Sequence, residues 1–271
     1  MYVIPKDRLP EGFAERIDEP PADPAPTRPA ATIVLLRDAA AGPEVLLLRR
    51  HRATGFVPGA FVFPGGRVDD ADADPRLLDL ADGLDARGGP EPTYWIAAVR
   101  EAFEEAGILL ARDAEGGIVP DAGRDARVAG WREALLAGRA ALCDVVHEGG
   151  LRLDLGDVVY CAHWITPIVE PRRYDTRFFL ARLPDGCDAC VDAREMTDAV
   201  WLTPAEALRR FRAGRLPMVF PTVATLESLA PFRTVAAALD AFRGRPVAPI
   251  LPRLVRTDEG VTIVVDGEAG G

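Results

Sequence analysis

Residues 93 to 107, T-Y-W-I-A-A-V-R-E-A-F-E-E-A-G, constrain this chain more than any other stretch. On a helical wheel at about 100° per residue with Glu101 at zero, Glu105 falls near ~40° and Glu104 near ~−60°. Ile96, Val99, Phe103 and Ala106 gather opposite, between roughly 140° and 220°. The pattern predicts a helix over Thr93–Ala106 that Gly107 stops. Its apolar face packs on a core and its other face carries three carboxylates. Like charges at these spacings repel by about 0.2–0.5 kcal/mol when exposed. An acidic face of this kind is either solvated or built for a divalent cation, because Mg²⁺ combines a few carboxylates with substrate phosphates. The helix by itself favours the solvated face.

Around it the order is mixed. Thr32–Arg37 and Glu44–Arg49 read as strands joined by a turn, and Gly59–Gly66 as a short strand running into glycines. Strand patterns recur at Val158–Pro167, Thr176–Leu183 and Val200–Leu202. Helical patterns occupy Pro75–Leu80, Trp131–Leu142 and two segments within 222–243. Thr203-Pro204-Ala205-Glu206 supplies an N-cap, a proline at the first helical position and a glutamate at the third. The tail L-V-R-T-D-E-G-V-T-I-V-V reads as a hairpin. This order predicts an α+β fold, a mixed sheet between helices. Residues 1–30, with E-P-P-A-D-P-A-P-T-R-P, read as a Pro-rich leader, extended or loosely draped. The main domain spans 31–245, with insertions at about 70–92 and 111–155, and 246–271 form a tail.

Upstream of the acidic helix lies F-P-G-G-R, Phe63 to Arg67. With Arg100, Glu101, Glu104, Glu105, Gly107 and Ile108 it resembles the Nudix box, G-x5-E-x7-R-E-U-x-E-E-x-G-U, where U is a bulky aliphatic and Gly66 is the first glycine. Ala102 stands in for the first U. Asp72 follows Gly66 at the spacing of the first glutamate, and 27 residues instead of 7 separate it from Arg100. Glu91 is the other candidate for that glutamate. About twenty extra residues in a loop are thermodynamically cheap. The split box resembles the peroxisomal CoA and acyl-CoA diphosphatases and their bacterial relatives. W-I-T-P, P-R-R-Y-D-T-R-F-F, E-M-T-D-A-V-W-L-T-P and L-P-M-V-F-P-T also match that branch. Within the upstream motif of CoA-cleaving relatives, Leu46, Leu47, Arg50 and Gly59 fit. Leu48, His51 and Gly55 replace a Thr, a Ser and an Arg.

The resemblance implies an α/β/α sandwich hydrolase that cleaves a nucleoside-diphosphate-linked compound using Mg²⁺ or Mn²⁺. Glu101, Glu104 and Glu105 would hold the metal with a backbone carbonyl of Gly65 or Gly66. Such a metal lowers the pKa of an attacking water. Glu101 or Glu195 would accept its proton. Arg100 orients the carboxylates, Gly107 ends the helix, and Arg50, Arg172 and Arg173 are the candidate substrate contacts. CoA or acyl-CoA is the favoured substrate, with ADP-ribose, NADH and nucleotide sugars as alternatives. A non-catalytic ligand sensor of the same fold is the competing class, disfavoured by the intact glutamate cluster.

Composition removes other classes. The net charge of −10 disfavours a nucleic-acid binder working through phosphate neutralisation. No apolar run approaches the ~18 residues of a membrane span. With no apolar run at Met1–Pro10 and no peroxisomal signal in Gly267–Gly271, a cytoplasmic protein is expected, with a homodimer as a possible assembly. Cys187-Asp188-Ala189-Cys190 is a C-x-x-C, and alternation along a strand puts Cys161 and His163 on one face. One such motif is weak, and incidental loop cysteines are the simpler expectation. The insertion aspartates Asp69, Asp70, Asp72, Asp74, Asp79, Asp82 and Asp85 read as a solvated loop.

Overall fold

The computed structural model describes residues 2–6, 13–51, 58–84, 89–192 and 194–265. Gly55, Asp85 and Gly267–Gly271, named above, lie outside the described residues, as do Met1 and residues 7–12 of the leader. The elements in chain order are β1 (Val3–Pro5), α1 (Phe13–Asp18), β2 (Thr27–Ala39), β3 (Gly42–Arg50), β4 (Phe61–Val62), β5 (Gly65–Arg67), α2 (Pro75–Asp79), β6 (Ala81–Asp82), α3 (Pro92–Ala106) and β7 (Ala111–Arg112). They continue with α4 (Ala126–Leu136), α5 (Leu142–Glu148), β8 (Arg152–Asp154), β9 (Val158–Ile165), β10 (Arg173–Arg182) and β11 (Met196–Leu202). The chain ends with α6 (Pro204–Arg212), α7 (Phe220–Leu229), α8 (Val235–Phe242), β12 (Pro249–Ile250), β13 (Arg253–Thr257) and β14 (Gly260–Val264). Among the described residues no helix is long and apolar enough to cross a membrane.

The central sheet runs β11-β3-β2-β10-β9-β12, with β4 on β3 and β5 on β2. β2 and β10 are parallel, whereas β2–β3 and β9–β10 are antiparallel, so the sheet is mixed. Its central strands are apolar on both faces because helices cover both. Ile33, Leu35, Leu46 and Leu48 face the layer of α3 and the insertions. Val34, Leu36, Val45 and Leu47 face α6, α7 and α8. This two-sided burial is why V-L-L-L reads as a continuous apolar run instead of an alternating one. The α+β sandwich expected from the sequence is the fold observed.

Several boundaries differ. The stretch from Thr27 belongs to β2, and Val3–Pro5 pairs with the tail strand β14, so leader and tail form one three-stranded sheet with β13. At both these points the leader is extended, as one of the two expected forms, and is paired as strand. The segment expected as one helix over Trp131–Leu142 is broken, because Gly138 adopts φ 65° and closes α4 before α5 begins. The strand expected over Gly59–Gly66 divides at Pro64. β4 pairs with β3 and β5 with β2, so the chain crosses between neighbours where proline donates no ladder bond.

The two insertions pair with each other. β8 sits between β6 and β7, with Leu153 opposite both Ala81 and Ala111. Of the described insertion aspartates, Asp69, Asp70, Asp79 and Asp82 are exposed as expected, but the set is not uniformly a free loop. Asp74 caps α2 and Asp82 is ion-paired to Arg152, while Asp72 is buried at 1% exposure.

Candidate active site

α3 carries the site. Proline at its first turn and the αL Gly107 (φ 72°) at its end fix its length. A Cβ on Gly107 would stand 3.1 Å from the Cys190 carbonyl and 3.2 Å from Ala122, so this position needs glycine for both conformation and space. Phe103, Ile96 and Val99 are fully buried against the sheet, which turns Glu101, Glu104 and Glu105 away from the core centre.

Arg100 organises this face from a nearly buried position, 5% exposed. Its Nε donates to Asp72 Oδ1 at 2.8 Å and its Nη2 to Asp72 Oδ2 at 3.0 Å, a bidentate pair. Nη2 also reaches the Arg67 carbonyl at 2.7 Å. Nη1 donates to Glu101 Oε1 at 2.9 Å and Glu104 Oε2 at 3.1 Å. Asp72 therefore takes the position that Glu91 also competed for. Glu91 instead precedes α3 as its exposed N-cap residue. A short 3-10 turn, Asp70–Ala73, brings Asp72 inward although the chain then wanders through the first insertion.

Two glycines press against the carboxylates. Gly65 N–H donates to Glu105 Oε2 at 2.9 Å. A Cβ on Gly66 would lie 2.4 Å from Glu101 Oε1, so only glycine lets β5 approach this closely. Burial pushes the Glu101 carboxyl up to about 8 even though Arg100 opposes the shift. Burial and then the charge of Glu101 push Glu105 well above the usual carboxylate range. Glu104 is raised chiefly by burial as well. Burial outweighs the single guanidinium, so the cluster favours added positive charge.

Among the described residues no three His, Cys, Asp or Glu side chains converge at ligand spacing. The reason is local: Glu101 and Glu104 each turn one oxygen to Arg100, and Glu105 turns one to Gly65. Each carboxylate keeps its second oxygen outside those bonds. These carboxylate oxygens, beside the half-buried Gly65-Gly66 backbone, are hard donors of the kind a divalent cation takes, so their chemistry fits the implied metal.

The remaining expected residues are spread around this centre. Arg50 ends β3, its Nε buried and, among the described residues, without a hydrogen-bond partner, and its charge lowers the proton affinity of Glu105. Glu195 is exposed on the segment before β11, and its charge raises Glu105. Arg172 is exposed. Arg173 is occupied by backbone carbonyls, Thr166 at 3.1 Å and Ala25 at 2.9 Å, so its guanidinium staples the chain before β2 to β10. Cys161 and His163 do not share a face. A bulge pairs Phe178 with Ala162 and Phe179 with Tyr160, leaving Cys161 as the extra residue and reversing the alternation. Cys161 Sγ donates to the Phe178 carbonyl and Cys187 Sγ to that of Val119, on opposite sides of the sheet.

Arg132 escaped the sequence reading. It is buried on α4, and its Nε and Nη2 donate to the Glu104 carbonyl at 3.0 and 2.7 Å. Nη1 donates to the Cys190 carbonyl at 2.7 Å. It thus satisfies an orphan carbonyl in the last turn of α3 and puts positive charge at that helix end. A lone arginine in a helical pattern carries no such signal.

The NUDT19 Nudix domain family matches residues 88–229, and the NUDIX domain family matches residues 26–132. The chain belongs to the Nudix family. It is similar to the acyl-coenzyme A diphosphatase NUDT19 of Gallus gallus, with 30% identity over 71% of this chain and 62% of that protein. Its similarity to the Xenopus laevis protein of that name is 28% over 71% of this chain and 61% of the other. For the Homo sapiens protein the figures are 28%, 84% and 72%. The chain thus spans 61–62% of the length of the frog and chicken relatives. A solved NUDIX hydrolase from Alicyclobacillus acidocaldarius superposes with a TM-score of 0.67 at 31% identity, over 82% of this chain and 99% of that one. In Nudix terms, Asp72 stands at the first box glutamate and binds the box arginine, with the inserted residues looped out between them.

Proposed function

We propose that this chain hydrolyses the diphosphate bond of CoA or acyl-CoA, within a wider capacity for nucleoside-diphosphate-linked compounds, when loaded with Mg²⁺ or Mn²⁺. The carrying observation is the acidic face of α3, with Glu101 and Glu105 buried against Gly66 and Gly65, Glu104 half-buried beside them, and Arg100 bonded to Glu101 and Glu104. The relatives named acyl-CoA diphosphatase support the substrate. The free oxygens of Glu101, Glu104 and Glu105 would hold the metal, which supplies charge neutralisation and an acidified water. Arg100 bridges Glu101 and Glu104 and offsets their mutual repulsion. Arg50, whose Nε no described residue accepts, offers a donor to a phosphate oxygen beside Glu105. Glu195, exposed and free of Arg100, accepts the proton of the attacking water.

A panel of CoA, acyl-CoA, ADP-ribose, NADH and nucleotide sugars with Mg²⁺ tests the reading. CoA compounds should be cleaved with the highest kcat/KM. Glu104→Gln with Glu105→Gln should abolish turnover, and activity retained in that double variant would sink the metal assignment. Glu195→Gln should lower kcat while leaving Mg²⁺ affinity unchanged; if Glu101→Gln alone does so, the base is Glu101. Light scattering would establish whether the chain is the homodimer we infer.

A further inference from the structure

A second polar cluster lies on the α3 side of the sheet. Arg177 Nη1 donates to Asp175 Oδ1, and His163 Nε2 touches both groups. The Arg177 guanidinium lies over the Tyr94 ring, 4.7 Å from its centroid. The bulge at Cys161 makes this possible, because it returns His163 to the face that Arg177 occupies. Three observations connect the cluster to the carboxylates. Arg177 pairs with Ala31, and Ala31 pairs with Gly66, so Arg177 and Gly66 lie two strand spacings apart, ~10 Å. Residues paired across a sheet share a face, and the Gly66 position points at Glu101. Tyr94 precedes Glu101 by about two helical turns, ~10 Å, on one side of α3.

We propose that Arg177 is a specificity-determining residue that receives a phosphate monoester on the ribose of the nucleotide half of the substrate. This rests on the diphosphatase reading. Asp175 and His163 take only Nη1; among the described residues no protein group takes Nε or Nη2. Those two donors form the fork that suits an oxyanion bidentately. The Tyr94 ring is already covered by the guanidinium, so on that face it has no room to stack a base and serves to hold the fork flat. Asp175 and His163 orient the guanidinium. The span from the Gly66 edge to Arg177 suits a 5′-diphosphate and a 3′-phosphate carried by one ribose, with the arginine side chain covering the remainder. The 3′-phosphate is the group that separates CoA from the other nucleotides of the panel.

The test compares CoA with 3′-dephospho-CoA on the Mg²⁺-loaded full chain. Arg177→Ala should raise KM for CoA by about tenfold or more with kcat little changed, and leave KM for 3′-dephospho-CoA within about twofold. Arg177→Lys should recover part of the loss. Equal effects on both substrates, or no effect, would overturn the assignment. Binding of adenosine 3′,5′-bisphosphate against AMP reads the same subsite without turnover. If the wild-type chain cleaves neither CoA compound yet prefers the bisphosphate through Arg177, the subsite stands and the diphosphatase reading falls. If the bisphosphate gains nothing over AMP, the subsite falls.

Discussion

Arg100 shows how a single residue converts repulsion into order. One guanidinium binds Asp72 with two hydrogen bonds and touches two glutamates with its remaining terminal nitrogen. With Asp72 at 1% and Arg100 at 5% exposure, removing the aspartate leaves a buried charge without its main partner. Such losses cost about 3–5 kcal/mol. Asp72→Ala should lower unfolding stability by that amount in urea titration, whereas Glu91→Ala should change it by less than about 0.5 kcal/mol. A mild Asp72→Ala would mean that the pair is peripheral. The wheel found the three glutamates because helical spacing is local. It could not choose between Asp72 and Glu91, because which acid reaches Arg100 depends on where the first insertion travels. Arg177 was equally hidden. Its partners come from β9, β10 and α3, and a bulge reverses the phase of β9 that simple alternation assumes.

At the scale of elements, the insertions form a unit. β8 joins β6 of the first insertion to β7 beside the second, and Leu153 is fully buried in that seam. Leu153→Ala keeps the backbone ladder, in which Leu153 N–H donates to the Leu80 carbonyl, but removes packing worth about 2–5 kcal/mol. Native-state hydrogen exchange should show protection falling in β6–β8 together while β2 and β10 keep theirs. A uniform fall across the central sheet would contradict the insertions' being a separate cooperative unit. Strands β2, β3 and β9 were legible because covered strands carry long apolar runs, and β10 through its buried F-F-L-A end. The break at Gly138 was not, since the flanking residues are all strong helix formers and one glycine decides the turn.

For the molecule as a whole, the buried carboxylates tie stability to pH and to metal. Folding raises Glu101 from its ordinary 4.5 to about 8. Between those values the metal-free folded state holds more protons than the unfolded chain, so its stability falls as pH rises through that window. On the proposed reading, a divalent cation held by these carboxylates would favour the deprotonated form and offset the fall. Thermal melts from pH 5 to 8 should show Tm dropping in EDTA, with Mg²⁺ restoring it most at the high-pH end. A Tm that rises with pH in EDTA would contradict this electrostatic account.

The sequence alone determined the acidic face of α3 and its glycine stop, because both are written in spacings of a few residues along one element; the order of elements carried the sandwich class, and the resemblance to the Nudix box tied F-P-G-G to the glutamates. Tertiary structure decided the partner of Arg100, the capping of α3 by Arg132, the stapling role of Arg173, the pairing of leader with tail, and the convergence of His163, Asp175 and Arg177 beside Tyr94. These depend on contacts between segments far apart in the chain. They are selected by the burial of charge and backbone polar groups that only the assembled layers impose.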